Sequence, residues 1–390
     1  MIRLSFVEEH LLNLRRITTG ERWIPQVDGL RFVAILSVLL FHISGEVAQR
    51  GLRPLHIAPA AMPLYHWLAN GDRGVALFFV LSGYVLARPF YEMHRLNGRR
   101  VVLSKYFLRR LTRLEPPYLL ALIIYCAAFR VSFHVPWSIL LPHAAASAVY
   151  LHNVIYPHAL PFNYVSWSLE IEVQFYLLAP LLGLIYRLPR TALRYAIFAA
   201  LTLLGCCVGA WLPGPPITLL AYAGFFPAGF LMAEIMENPH RSRTQSYLWD
   251  VVGLAGWIAF FWLPAGLTMR AFLPLWIVPV FLTAFYGKLS SRVLGWPFIA
   301  LTGGMCYSIY LMHTLLMSIG FRVIKHVAFA SDLGTLWVQM LLLLPFILAG
   351  STLYYIAVER PCMNRHWPGE LLLWARGKLR SPRSKNAASQ

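Results

Sequence analysis

Ten long apolar runs, joined by short and mostly basic connections, decide what this chain can fold into. They fall at 27–46, 74–92, 116–134, 169–187, 192–212, 217–236, 247–264, 271–288, 298–321 and 335–358. About 20 apolar residues is the length at which a helix crosses the ~30 Å hydrocarbon core of a bilayer. The composition leaves little alternative. Of 390 residues, 58% are hydrophobic and 13% charged, whereas soluble globular domains carry about 25% charge. Too little polar surface exists to clothe a water-soluble globule, and a chain this apolar does not stay solvated and disordered. The expected fold is therefore all-α: a polytopic membrane helical bundle of about ten transmembrane helices.

The formal net charge of +18 needs a place. With the N-terminus on the cytoplasmic side, 27 of the 34 Lys and Arg residues fall in inner segments and 7 in outer ones. That asymmetry is what the positive-inside rule asks for, and it requires an even number of spans with both termini cytoplasmic. The expected location is the cell (inner, cytoplasmic) membrane, with the chain crossing it many times. Anionic lipid accounts for most of the charge. Nucleic acid is not an expected partner, because the basic residues are spread over many loops rather than gathered in one groove. The five cysteines (Cys126, Cys206, Cys207, Cys306, Cys362) are scattered, with neither a disulfide framework nor a metal-ligand spacing. No metal is expected.

Three segments follow. Residues 1–23 read as a cytoplasmic amphipathic stretch: Ser5 and Glu8 form a capping box, and Leu4, Val7, Leu11 and Leu14 recur at helical spacing. They are charged throughout, unlike a cleavable signal peptide. Residues 24–362 form the membrane domain. Residues 363–390 are a basic cytoplasmic tail, expected to be partly disordered. Within the membrane domain, 138–166 lacks Asp, Glu, Lys and Arg but is broken by Pro142, Pro157 and Pro161. It is expected to lie at the outer interface or to re-enter the bilayer.

Charged groups inside a span are costly, so they normally face a cavity and act there. The first span carries Asp28, Arg31 and His42. Arg31 and His42 are eleven residues apart, which leaves them about 20° apart around the helix and about 16 Å apart along it. Asp28 lies about 60° to the other side of Arg31, so the three share one face. A cationic inner mouth is thus joined to a buried imidazole, the side chain best suited to take a proton near neutral pH. A buried histidine hydrogen-bonded to a neighbouring helix is the plainer reading. The basic connection before the third span ends Arg109-Arg110-Leu111-Thr112-Arg113-Leu114-Glu115-Pro116-Pro117-Tyr118. Arg110 and Arg113 sit one turn apart and can fork a phosphate; topogenic charge beside lipid headgroups is the alternative. The fourth span opens Trp167-Ser168-Leu169-Glu170-Ile171-Glu172. Glu170 suits a helix N-terminus. Glu172 lies deeper, with Tyr176 one turn on, and could orient an imidazole or a hydroxyl substrate. Ser82-Gly83 reads first as a small-residue packing pair. His313 places a second imidazole in the ninth span, and Glu359-Arg360-Pro361 ends the tenth.

Together these pieces resemble the acyltransferase 3 family of integral membrane acyltransferases. The resemblance runs through Val27-Asp28-Gly29-Leu30-Arg31 with His42 beyond, Gly74 to Tyr84, Arg109-Arg110-x-x-Arg113-x-x-Pro116-x-Tyr118, Trp167 to Tyr176, Tyr307 to His313 and Glu359-Arg360-Pro361. The motifs stand in family order across about residues 24–362. Two positions depart from the common pattern: Ala76, where many members have Asp, and Val173, where many have a second Glu. The resemblance implies acyl transfer, commonly of acetyl, from cytoplasmic acyl-coenzyme A (acetyl-CoA) as co-substrate, with no permanently bound cofactor. The implied acceptor is a hydroxyl of a carbohydrate, glycolipid or related metabolite. His42 is then the catalytic base, with Glu172 orienting it or the acceptor, or else His42 carries the acyl group covalently. Arg31, Arg110, Arg113 and Tyr118 would bind the acyl-CoA. Asp28, Ser82, Trp167, Ser168, Tyr176, His313 and Glu359 would serve the acceptor or support the site. A transporter or flippase of a glycolipid is the rival reading, although the two halves show no inverted repeat. The oligomeric state stays open, a homo-oligomer included.

Overall fold

The computed structural model of the chain describes residues 15–17, 23–50, 67–158, 163–211, 218–238, 244–262, 267–364 and 367. The expected helix over Leu4–Leu14, the loop at 51–66 and the basic tail beyond Trp367 lie outside these residues. Among the described residues the fold is helical, with no strand. The helices run α1 Pro25–Arg50, α2 Arg73–Arg95, α3 Leu103–Ser132, α4 Trp137–Ala148, α5 His152–Ile155, α6 Trp167–Gly183 and α7 Thr191–Trp211. They continue as α8 Phe225–Met236, α9 Tyr247–Trp262, α10 Leu267–Tyr286, α11 Lys288–Leu294, α12 Pro297–Gly304, α13 Cys306–Ile324 and α14 Asp332–Tyr354. A π-helical turn, Tyr355–Glu359, prolongs α14.

Among the described residues, seven helical segments are long and apolar enough to cross a membrane: α1, α2, α3, α6, α7, α13 and α14. Three shorter apolar helices, Phe225–Met236, Tyr247–Trp262 and Phe272–Tyr286, occupy the sixth, seventh and eighth apolar runs. The ninth run, 298–321, is not one helix. It breaks at Met305 into α12 and α13. The break follows from a close approach, because a Cβ on Gly303 would collide with the Asp28 carbonyl of α1. Gly303 near the end of α12 lets it press on the first helix, and a fresh helix then starts at Cys306.

α1 begins with Pro25, whose missing N–H costs nothing at a helix start. Asp28 in the first turn suits the positive end of the dipole. α2 runs antiparallel to α1: Gly71 packs on Ser37 and Phe41, and Gly74 on Ala34 and Ser37. On its other side, Gly83 of α2 and Gly229 of α8 let those two backbones meet directly, as small residues do between membrane helices. Gly83 is therefore a packing residue, as its sequence context suggests. The core around this crossing is aromatic: Phe79, Phe226, Phe230 and Tyr84 are at most 2% exposed. Large apolar side chains at the surface, such as Leu177, Leu181, Leu204 and Leu353, face outward where lipid would replace water. The segment 138–166 folds as α4, the short α5 and the turn at 163–166. Asn163 Nδ2 donates to the Leu311 carbonyl of α13 at 3.2 Å, which draws this broken stretch into the bundle.

Candidate active site

A cavity of about 1970 Å³ runs through the bundle. At one end it is lined by the exposed basic side chains of Arg99, Arg100, Lys105 and Arg109. At the other it reaches Phe41, His42, Asn70 and Arg73. Arg31, Ser82, Arg110, Arg113, Glu172 and Tyr176 line it between those ends. The cavity thus connects the arginines to the imidazole.

The basic end is organised by Asp28 and Glu172. Arg31 Nη1 donates to Asp28 Oδ1, and Trp23 Nε1 donates to Asp28 Oδ2 at 2.8 Å. Asp28 itself is buried and does not reach the cavity wall; it fixes Arg31, which does. The Arg110 guanidinium lies 3.6 Å from the Tyr106 ring centre and 5.6 Å from that of Tyr176. Arg110 Nη1 also donates to the Tyr106 carbonyl at 3.0 Å; stacking immobilises the guanidinium without using its remaining edge donors. Glu172 Oε1 accepts from Ser82 Oγ and from Tyr176 OH, each at 2.7 Å. These are short, charge-assisted bonds. Arg113 also lines this end, its Nε buried with no hydrogen-bond partner. Glu359, in the π-helical turn, is fully buried; its Oε2 accepts from Ser308 N at 2.9 Å and from Ser308 Oγ. It clamps the start of α13 through Ser308.

The far station is built differently. His42 Nδ1 lies 3.3 Å from Tyr164 OH, and its ring centre is 5.3 Å from those of both Tyr164 and His313. His313 is fully buried. Its Nδ1 donates to the carbonyls of Ile309 and Tyr310 at 3.0 and 2.9 Å, leaving Nε2 without a partner. It stands behind His42 and not on the cavity wall. Trp167 and Ser168 line the cavity nearby. Ser168 Oγ donates to Val165 O and Tyr310 OH, both at 3.2 Å.

Two placements differ from the sequence reading. Glu172 does not touch His42. Ser82, its partner, lies eight residues beyond Gly74 on a helix antiparallel to α1, about 12 Å toward the basic end. Glu172 therefore stands level with Arg31, and Tyr164 occupies the place beside the imidazole. Tyr118, expected to bind the donor, is buried with its hydroxyl on Ser147 O at 3.1 Å and its ring stacked 5.2 Å from Tyr150. Five residues from Arg113 is about 140° around the helix, which turns Tyr118 away from the cavity. Sequence reasoning also missed Arg16, Tyr106 and Tyr164, all outside the polar stripes of the spans. Among the described residues no group of three or more His, Cys, Asp or Glu could hold a metal ion.

A bundle of apolar helices around a basic-to-imidazole cavity defines a class that the comparisons then specify. The chain belongs to the acyltransferase 3 family, whose acyltransferase domain matches residues 24–356. It is 29% identical over 200 residues to O-acetyltransferase OatA of Staphylococcus aureus (strain NCTC 8325 / PS 47), a match covering 48% of this chain and 30% of that protein. It is 30% identical over 186 residues to peptidoglycan O-acetyltransferase OatA of Listeria monocytogenes, covering 44% of this chain and 26% of that protein. The matched stretch thus spans less than a third of these relatives' own length. No solved structure is significantly similar.

Proposed function

We propose that the chain is a multi-pass membrane O-acetyltransferase that moves an acetyl group from acetyl-CoA to a hydroxyl of a cell-surface carbohydrate or glycolipid. One observation carries this reading: a single cavity is lined by Arg31, Arg110 and Arg113 at one end and by His42 at the other. Arg31 and His42 are about 16 Å apart along α1, a gap suited to a long, flexible thioester arm. The donor phosphates lie on the arginine edges at the basic, cytoplasmic end. The arm passes Ser82, Glu172 and Trp167 and brings the thioester to the imidazole.

His42 then removes the proton of the acceptor hydroxyl as its oxygen attacks the thioester carbonyl carbon. An acyl–oxygen bond forms, the carbon–sulfur bond breaks, and the proton passes from the imidazolium to the leaving thiolate. Tyr164 on Nδ1 holds the ring so that its other nitrogen serves the hydroxyl. General-base assistance of this kind is worth about 10²–10⁴-fold. The peptidoglycan acceptor named for the Listeria relative supports a carbohydrate as acceptor here. The test is purified protein with labelled acetyl-CoA and glycan fragments: acceptor-dependent coenzyme A release is expected. A protein that moves glycolipid across vesicles without releasing coenzyme A would be a flippase instead.

A further inference from the structure

Among the described residues, ten Lys and Arg side chains and five carboxylates line the cavity, and the imbalance is sharpest around Asp28. Arg16, in the short stretch before α1, reaches into this end. Its Nε lies 3.4 Å from Asp28 Oδ1, the oxygen that Arg31 already engages. That geometry is an ion pair without a hydrogen bond, and Arg16 Nε is buried with no hydrogen-bond partner. Arg113 Nε is in the same condition on the same wall. Three guanidiniums thus converge on two carboxylates: Asp28 answers Arg16 and Arg31, and Glu359, its Oε2 held by Ser308, lies within electrostatic reach of Arg113 and Arg16. Burial, with Arg31 next to it, pushes the Arg16 guanidinium down to about 9, as expected of a cation short of counter-charge.

Buried donors without acceptors are costly, and a cluster of arginine forks matches phosphate geometry. We infer that Arg16 is a fourth phosphate-binding residue beside Arg31, Arg110 and Arg113, so that a residue preceding the first span forms part of the anion site. Arg15 supplies an internal contrast. It lies 4.4 Å over the Trp23 ring and does not line the cavity. The same charge one residue away is spent on an aromatic face, and only Arg16 points at the site. The inference rests on the acyl-CoA reading for the identity of the ligand, but not for the existence of an anion site.

The experiment uses the full-length protein in nanodiscs, with Arg16→Gln, Arg16→Lys and Arg15→Gln as variants. Coenzyme A, dephospho-coenzyme A and inorganic pyrophosphate are the probes, and binding is read by calorimetry alongside the steady-state KM and kcat for acetyl-CoA. Losing one charged hydrogen bond predicts a ~10- to 100-fold weaker Kd and higher KM for Arg16→Gln. The expected pattern is kcat within about twofold, partial recovery in Arg16→Lys and wild-type behaviour in Arg15→Gln. If Arg16→Gln binds all three probes as wild type does, or falls no further than Arg15→Gln, the inference is overturned. If pyrophosphate binds in an Arg16-dependent manner while coenzyme A does not bind at all, the site stands and the acyl-CoA donor is wrong.

Discussion

The two ends of the cavity use opposite chemistry. At the basic end, cations outnumber carboxylates, and each is held by something that does not neutralise it fully: Arg31 by one carboxylate, Arg110 by two tyrosine faces. At the far end, the ring contacts of His42 among the described residues are Tyr164, His313 and Phe41. Among the described residues no carboxylate is hydrogen-bonded to either imidazole. A ligand rich in phosphate is held by surplus charge, whereas a proton-transfer group in a low-dielectric interior works best among neutral partners that leave its lone pair free. On the proposed function, the difference would separate binding from chemistry along one helix, and it can be tested by asking which kinetic constant each end controls.

The largest effect belongs at the imidazole. His42→Ala is expected to lower kcat by ~10²–10⁴-fold while leaving coenzyme A affinity intact, measured by turnover and by calorimetry on the same sample. Loss of donor binding in that variant would erase the separation. Next comes the charged end: Arg113→Ala should raise the donor KM by ~10–100-fold, the weight of a charged hydrogen bond, with kcat nearly kept. Glu172→Gln sharpens the comparison, because the sequence reading gives Glu172 to the imidazole or the acceptor while its position is level with Arg31. It holds Ser82 and Tyr176 there. The amide oxygen can still accept both bonds, so a roughly tenfold or smaller rise in donor KM is expected. The pH profile of kcat should not change. A shifted profile would return Glu172 to the service of His42.

Much of this arrangement was readable in the sequence because helical geometry is stiff. The shared face of Arg31 and His42 needs only 100° per residue and one uninterrupted helix, and α1 runs unbroken through both. The apolar runs located most helices for the same reason. What depended on tertiary packing was not readable. The break at Met305 comes from Gly303 meeting the backbone of α1, a contact no periodicity encodes. Tyr118 was misplaced because a motif position fixes spacing along the chain but not the direction a helix turns it. The polar stripes leave Glu172 free to orient either the imidazole or the acceptor; the antiparallel packing of α1 and α2 decides its depth. Tyr164 lies in a Pro- and His-containing stretch with no helical repeat, and nothing in the sequence singled it out.

Tyr164 gives the smallest and most discriminating prediction. Its hydroxyl is 3.3 Å from His42 Nδ1, a long hydrogen bond, and its ring packs edge-on to the imidazole at 5.3 Å. Tyr164→Phe removes the first and keeps the second. A neutral hydrogen bond is worth about 0.5–1.5 kcal/mol net, so kcat should fall by only ~2- to 10-fold, with the donor KM unchanged. His42 would keep its place between Tyr164 and His313 but lose the contact that fixes which nitrogen faces the cavity. Because the ring still fills its space, thermal stability should hardly move, which separates a lost tautomer control from a loosened core. A rise in donor KM with kcat intact would mean that the stretch at 163–166 shapes the donor path and that the two ends are not independent.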